Sequence, residues 1–107
     1  MSELVVLVTA QNEKDANFLA EILVGQKVAA CVNIVPHIQS VFEWEGKVSK
    51  ETESLMVIKS TSEAYQTLEA TIKAHHSYSV PEIIALPITF GSAEYLSWIH
   101  ENINHRS

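Results

Sequence analysis

Five histidines are the residues of this 107-residue chain best suited to metal chemistry, and two are adjacent. His75 and His76 end a stretch of helical periodicity, and Glu82 follows shortly. Imidazole suits copper, zinc and nickel, and Cu²⁺ binds tightest of the divalent ions. Neighbours on a regular helix point about 100° apart, so the pair shares an ion only where the helix frays or another chain adds ligands. We predict a weak divalent-cation site at His75, His76 and Glu82, and solvated side chains at His100 and His105.

The alternative for this cluster is that exposed polar residues simply end a helix, where a cationic histidine also suits the helix dipole.

Cys31 is the only cysteine, so no intrachain disulfide can form, and its apolar strand predicts a buried core residue. Lys59 follows another apolar strand. With Tyr78 and Glu82 it is expected to make structural ion pairs and hydrogen bonds, or else to contribute to a cleft that binds a small anion or metabolite.

The chain offers no constellation typical of an enzyme. No paired carboxylates with a defined partner and no Ser-His-Asp arrangement stand out. Its three glycines, Gly25, Gly46 and Gly91, are too scattered for a phosphate-binding loop or a dinucleotide fingerprint. The sequence therefore predicts a non-enzymatic protein without an organic cofactor.

Charge and composition exclude further classes. Seven Lys+Arg against thirteen Asp+Glu give a net charge of −6, which disfavours nucleic-acid binding. No apolar stretch approaches the roughly 20 residues of a membrane helix, and the first residues lack a basic signal-peptide region. With 47% hydrophobic residues, we expect one domain over residues 1–107, located in the cytoplasm.

Apolar periodicity and turn residues divide the chain into seven elements in the order β-α-β-β-α-β-α. This order predicts an α+β fold, the ferredoxin-like split β-α-β plan with one C-terminal helix added. The predicted strands cover residues 4–9, 28–44, a return strand ending in 55–58, and 83–90. The predicted helices begin at Asn12, at Thr61 or Ser62, and at Gly91-Ser92.

A long β-hairpin is the most unusual predicted feature. Pro36 cannot donate to a strand ladder and predicts an edge or a bulge, and Glu45-Gly46 predicts a tight turn. Near the tip, Phe42 and Trp44 either anchor in a neighbouring chain or form an aromatic cross-strand pair that steadies the hairpin.

Each predicted strand is apolar on both faces, as with Val5 and Leu7 against Val6 and Val8. Right-handed crossovers put both crossover helices on one face, which leaves the other face bare. Covering ~500 Å² of it per chain gives on the order of 12 kcal/mol, against association costs of about 4–15 kcal/mol. We predict a homo-oligomer that covers this face; the alternative is a monomer in which the last helix, with Tyr95 and Ile99 inward, does so.

Several motifs occur in an order that resembles the CutA divalent-cation-tolerance family: AACVNIVP at 29–36, FEWEGK at 42–47, IKST at 58–61, HSYSVPEI at 76–83 and YLSW at 95–98. The resemblance implies a cytoplasmic homotrimer with interlocked hairpins, similar in architecture to PII-type signalling trimers, that contributes to tolerance of copper and other divalent cations. In copper-binding members a cysteine near the end of the first strand joins the paired histidines. This chain has Val8 there, which disfavours thiolate-dependent Cu(I) binding.

Overall fold

A computed structural model describes residues 3–103 as four strands and three helices in the predicted order. His105, predicted to be solvated, lies outside these residues. The elements are β1 (Glu3–Ala10), α1 (Glu13–Gly25), β2 (Cys31–Trp44), β3 (Lys47–Thr61), α2 (Tyr65–His75), β4 (Ile83–Pro87) and α3 (Ala93–Glu101).

The four strands form one antiparallel sheet in the order β2-β3-β1-β4. Each β-α-β unit skips one strand, which confirms the predicted ferredoxin-like α+β fold. Helices α1 and α2 cover one face of the sheet. The core between these helices and the sheet is formed by fully buried apolar side chains: Val6, Val8, Leu19, Leu23, Met56, Ile58, Leu68 and Ile72.

Helix α1 begins as its sequence predicts. The side chain of Asn12 accepts a 2.8 Å hydrogen bond from the amide of Asp15, which satisfies one free N–H of the first turn. Helix α2 differs, because its N-cap is Ala64 rather than Thr61 or Ser62. Thr61 still contributes, since its Oγ1 accepts a 3.3 Å bond from the amide of Ala64.

The hairpin of β2 and β3 is long, but β2 begins at Cys31 and not at Val28. Lys27 has a φ of 59°, and the amides of Val28 and Ala29 both bond back to the Leu23 carbonyl. These residues therefore complete the C-terminus of α1 before the strand starts.

Two features of the hairpin confirm the interpretation of its sequence. The register with β3 shifts between Val35 and Ile38, so Pro36 lies in a β-bulge. At the tip, Glu45 and Gly46 have φ values of 52° and 80°, as a two-residue type I′ turn requires.

The aromatic residues near the tip do not form a cross-strand pair. Phe42 lies opposite Ser49 and Trp44 lies opposite Lys47. Both rings are exposed in the single chain. The prediction of an aromatic pair is therefore wrong, because the register places polar residues across from both rings.

Strand β4 is shorter than predicted and ends at Pro87 rather than at Phe90. Pro87 lies opposite Leu4, at the beginning of β1 among the described residues. Beyond it the amide of Ile88 still bonds to the Glu3 carbonyl at 3.0 Å, and the chain then leaves the sheet. Phe90 is 91% exposed.

The face of the sheet away from α1 and α2, here called the open face, is only partly covered. Helix α3 lies at one end of it, because its His100 contacts Glu3, whose side chain is on the same face of β1 as Val5 and Leu7. Ile99 is fully buried, and Tyr95, although 40% exposed, interacts with the Cys31 side chain of β2, so it faces the sheet as predicted without being buried. The rest of the open face carries half-buried or exposed apolar side chains: Val5, Leu7, Val35, Leu55, Val57, Ile84 and Leu86.

His100 is not solvated as predicted. Its Nε2 lies 2.5 Å from Oε2 of Glu3, and this contact lowers the pKa of the Glu3 carboxyl. The sequence does not reveal the pair, because its members are 97 positions apart.

Within residues 3–103, no helix combines the length and apolar character required to span a membrane.

Candidate functional site

The two adjacent histidines lie at the C-terminus of α2 and differ in their hydrogen bonds. His75 is exposed, and its Nδ1 lies 2.9 Å from the carbonyl oxygen of Thr71. A carbonyl only accepts, so Nδ1 carries the proton and donates. The lone pair of the neutral ring is therefore on Nε2, where it is available to a metal ion.

His76 uses both ring nitrogens within the chain. Its Nε2 donates to the Thr9 carbonyl oxygen at 2.8 Å, and its Nδ1 accepts a 3.0 Å bond from the amide of Tyr78. This pattern fixes the neutral tautomer with the proton on Nε2. A metal ion at His76 would have to replace one of these bonds, which makes it a poorer ligand than His75.

Tyr78 connects this histidine to the hairpin. Its ring lies 4.8 Å from that of His76, and its hydroxyl donates a 2.6 Å hydrogen bond to Oε2 of Glu53. Burial, followed by this bond and the charge of Glu53, raises the pKa of Tyr78 strongly. Glu53 is only 9% exposed, so the hydroxyl is what compensates for its loss of water.

The third predicted ligand, Glu82, is exposed in the segment between α2 and β4. Within residues 3–103 no three His, Cys, Asp or Glu side chains are grouped to hold a metal ion. Within one chain, His75, His76 and Glu82 therefore do not form a shared metal site. The two histidines are adjacent in the chain, but their ring nitrogens make different hydrogen bonds. Sequence reasoning missed Glu53, whose strand gives no sign of its burial.

Lys59 and Cys31 face each other across β2 and β3 on the open face. The Lys59 ammonium donates to Oδ1 of Asn33. Cys31 is half-buried, not fully buried as predicted, because β2 is an edge strand. Burial, with a smaller contribution from the Cys31 side chain, raises the pKa of Tyr95. The sequence suggested an anion site near Lys59, but the Lys59 ammonium already has a hydrogen-bond partner in Asn33.

The structure is that of a small α+β protein with a ferredoxin-like sheet, a long hairpin and a histidine pair at the end of its second helix. A model of the CutA1 divalent ion tolerance protein family matches residues 4–102. The chain belongs to this family.

The sequences of individual relatives align with nearly the whole chain. The divalent-cation tolerance protein CutA of Thermus thermophilus is 47% identical over 100 residues, which cover 94% of this chain and 97% of that relative. A chloroplastic CutA of Arabidopsis thaliana is 50% identical over 90% of this chain, but the match spans only 53% of the plant protein.

Solved structures confirm the fold. The crystal structure of CutA1 from Oryza sativa has a TM-score of 0.96 at 42% identity, with 99% of this chain and 97% of that chain covered. The Thermus thermophilus structure has a TM-score of 0.93 at 46% identity, with coverage of 95% and 99%. A structure from Archaeoglobus fulgidus, described as periplasmic, has a TM-score of 0.92 at 41% identity, with coverage of 95% and 99%.

Proposed function

We propose that this chain forms a cytoplasmic, non-enzymatic homotrimer that binds divalent cations weakly, Cu²⁺ tightest, and contributes to divalent-cation tolerance. The observation that carries the proposal is the 47% identity over 97% of a Thermus thermophilus protein named for that tolerance. A cytoplasmic location is consistent with a single cysteine that cannot form an intrachain disulfide.

The open face supports self-association. Ile84 and Leu86 are 50% and 49% exposed, and Val35 is 44% exposed, on a face whose other end is covered by α3. Contiguous apolar surface of this kind marks an interaction site in a water-soluble protein. The edge strands β2 and β4 also leave backbone groups available for pairing with another chain. Three copies are what membership of the family implies.

The cation would bind at His75, His76 and Glu82. His75 presents the free Nε2 lone pair, and the imidazole nitrogen favours Cu²⁺ over the other divalent ions. His76 joins only by giving up its bond to Thr9 or to Tyr78, and Glu82 is free to approach from the exposed segment. One ready ligand per chain accounts for a weak site.

Isothermal titration of the full-length protein with Cu²⁺ tests the cation site. We expect saturable binding that His75→Ala weakens strongly and that His75→Ala/His76→Ala abolishes. His37→Asn is the matched control, because His37 is exposed with a φ of 61° in the bulge, where Asn is tolerated. Unchanged affinity in the double variant would remove the site assignment.

Light scattering tests the assembly. The expected mass is about 36 kDa, three times the 11.9 kDa of one chain. A single species of one-chain mass would overturn the trimer and leave the metal titration to be judged on its own.

A further inference from the structure

An open cavity of about 630 Å³ lies between the distal part of the hairpin and the loop after α2. It is distinct from the histidine pair, since neither His75 nor His76 lines it. Three aromatic and two acidic side chains form its walls: Phe42, Trp44, Tyr78, Glu51 and Glu53. The other lining residues are neutral: Gln11, Ser49, Thr52, Ser79 and Val80.

The strand register brings the aromatic and acidic groups to one face. Phe42 lies opposite Ser49, and Glu51 and Glu53 follow at intervals of two along β3. Since side chains two apart in a strand share a face, Glu51 and Glu53 point to the same face, with their backbone positions about 6.6 Å apart along the strand. The rings of Phe42 and Trp44 are exposed in the single chain and open to the cavity.

Both charged side chains that line the cavity, Glu51 and Glu53, are acidic. No Lys, Arg or His is among its lining residues. Besides burial, the charges of Glu53, Glu51 and the nearby Asp15 all raise the pKa of Tyr78, so three carboxylates act on this phenol. An anionic ligand would be repelled here, whereas a cation would relieve the mutual repulsion of the carboxylates.

We propose that this cavity binds aliphatic amine cations, with a short diamine as the best fit. Each ammonium would lie near one of the carboxylates of Glu51 and Glu53 in a charge-assisted hydrogen bond. The methylene chain would pack on Trp44 and Phe42, whose ring faces also attract cations. A bare divalent ion fits less well, because the described residues provide no group of three metal-ligating side chains.

Glu53 and Glu51 have different parts in this site. Oε2 of Glu53 already accepts the Tyr78 hydroxyl, so this carboxylate holds the wall in place as well as adding charge. Glu51 is exposed. It is therefore the carboxylate that can be neutralised without loss of a buried hydrogen bond.

Putrescine is the probe, and 1,4-butanediol, which has the same chain without charge, is its matched control. Titration uses the full-length Trp98→Phe protein, because Trp44 is then the only tryptophan of the chain and reports on the cavity. We expect saturable fluorescence change with putrescine, no saturation with butanediol, and weaker binding as NaCl rises.

Glu51→Gln should weaken putrescine binding about tenfold, whereas Glu43→Gln should leave it unchanged. Glu43 is an exposed carboxylate on the same hairpin, opposite Val48, and its side chain points to the other face. Trp44→Leu, read by calorimetry, should also weaken binding. This test is independent of Cu²⁺ binding, which should be unaffected by Glu51→Gln.

Three outcomes would overturn the proposal. One is binding of butanediol as tight as that of putrescine. Another is an equal loss in Glu43→Gln and Glu51→Gln, which would indicate only general attraction to an acidic protein. The third is no putrescine binding by the assembled protein, which would mean that a second copy fills the cavity.

Discussion

The hydroxyl of Tyr78 donates a 2.6 Å hydrogen bond to Oε2 of Glu53, a carboxylate that is 9% exposed. Glu53 lies opposite Ile38, the first paired residue after the bulge. Through His76, the same loop is bonded to the Thr9 carbonyl at the end of β1. The base of the hairpin is thus tied to the body of the domain by side chains.

Tyr78→Phe removes the donor and leaves Glu53 buried without it. We expect the free energy of unfolding to fall by about 1–3 kcal/mol, the cost of a buried polar group without its partner. Urea denaturation measures the loss. Tyr65→Phe is the matched control on α2: it removes a hydroxyl bond to Glu69, a carboxylate that is 34% exposed and keeps its ion pair with Lys73, and it should change stability by no more than about 0.5 kcal/mol. Equal effects of the two substitutions would show that the Tyr78 bond has no special weight.

Acid should weaken the contact between α3 and β1. His100 lowers the pKa of Glu3 below its ordinary 4.5, so the folded chain prefers the ionised carboxylate. This stabilisation is complete above pH 4.5 and is lost as pH falls through the lowered pKa, because the unfolded chain then binds more protons. In His100→Ala, the pH dependence of unfolding in this range should flatten. His37→Asn is the control and should keep the pH dependence of the original protein. If His100→Ala keeps it as well, the assignment of the acid effect to the His100–Glu3 pair is wrong.

The hairpin turn should respond to substitutions that change the cost of positive φ. Gly46→Ala should destabilise the protein by about 1–2 kcal/mol, because Gly46 has a φ of 80°. Gly25→Ala is the control, since no atom lies within 4 Å of the added Cβ, and it should be neutral or stabilising. Glu45→Asn should raise the melting temperature, because Asn-Gly suits a type I′ turn. Calorimetry checks all three variants.

A charge on the open face should prevent assembly. Leu86→Glu adds a carboxylate to an apolar side chain that is 49% exposed, and we expect light scattering to report mainly single chains. Val24→Glu is the control, because Val24 is 43% exposed but lies on α1, which covers the other face. If Leu86→Glu retains the assembled mass, the interface does not include this part of β4.

Local sequence signals account for most of the fold. Alternation and helical periodicity predicted all seven elements in order, and Asn12, Pro36 and Gly46 act as their types predict. The errors concern ends and partners. Residues 28 and 29 look like strand but close α1, and the chain leaves the sheet after Ile88, at the end of its partner strand.

Residue types and their spacing are sufficient to predict the ferredoxin-like order of elements, the two-sided apolar strands and the adjacent histidines. Folding engages both ring nitrogens of His76 in hydrogen bonds and leaves Nε2 of His75 available. It alone paired His100 with Glu3 and Tyr78 with Glu53. Hydrogen bonds form only between atoms within about 3 Å of one another, and chain folding brings together residues that no sequence period connects.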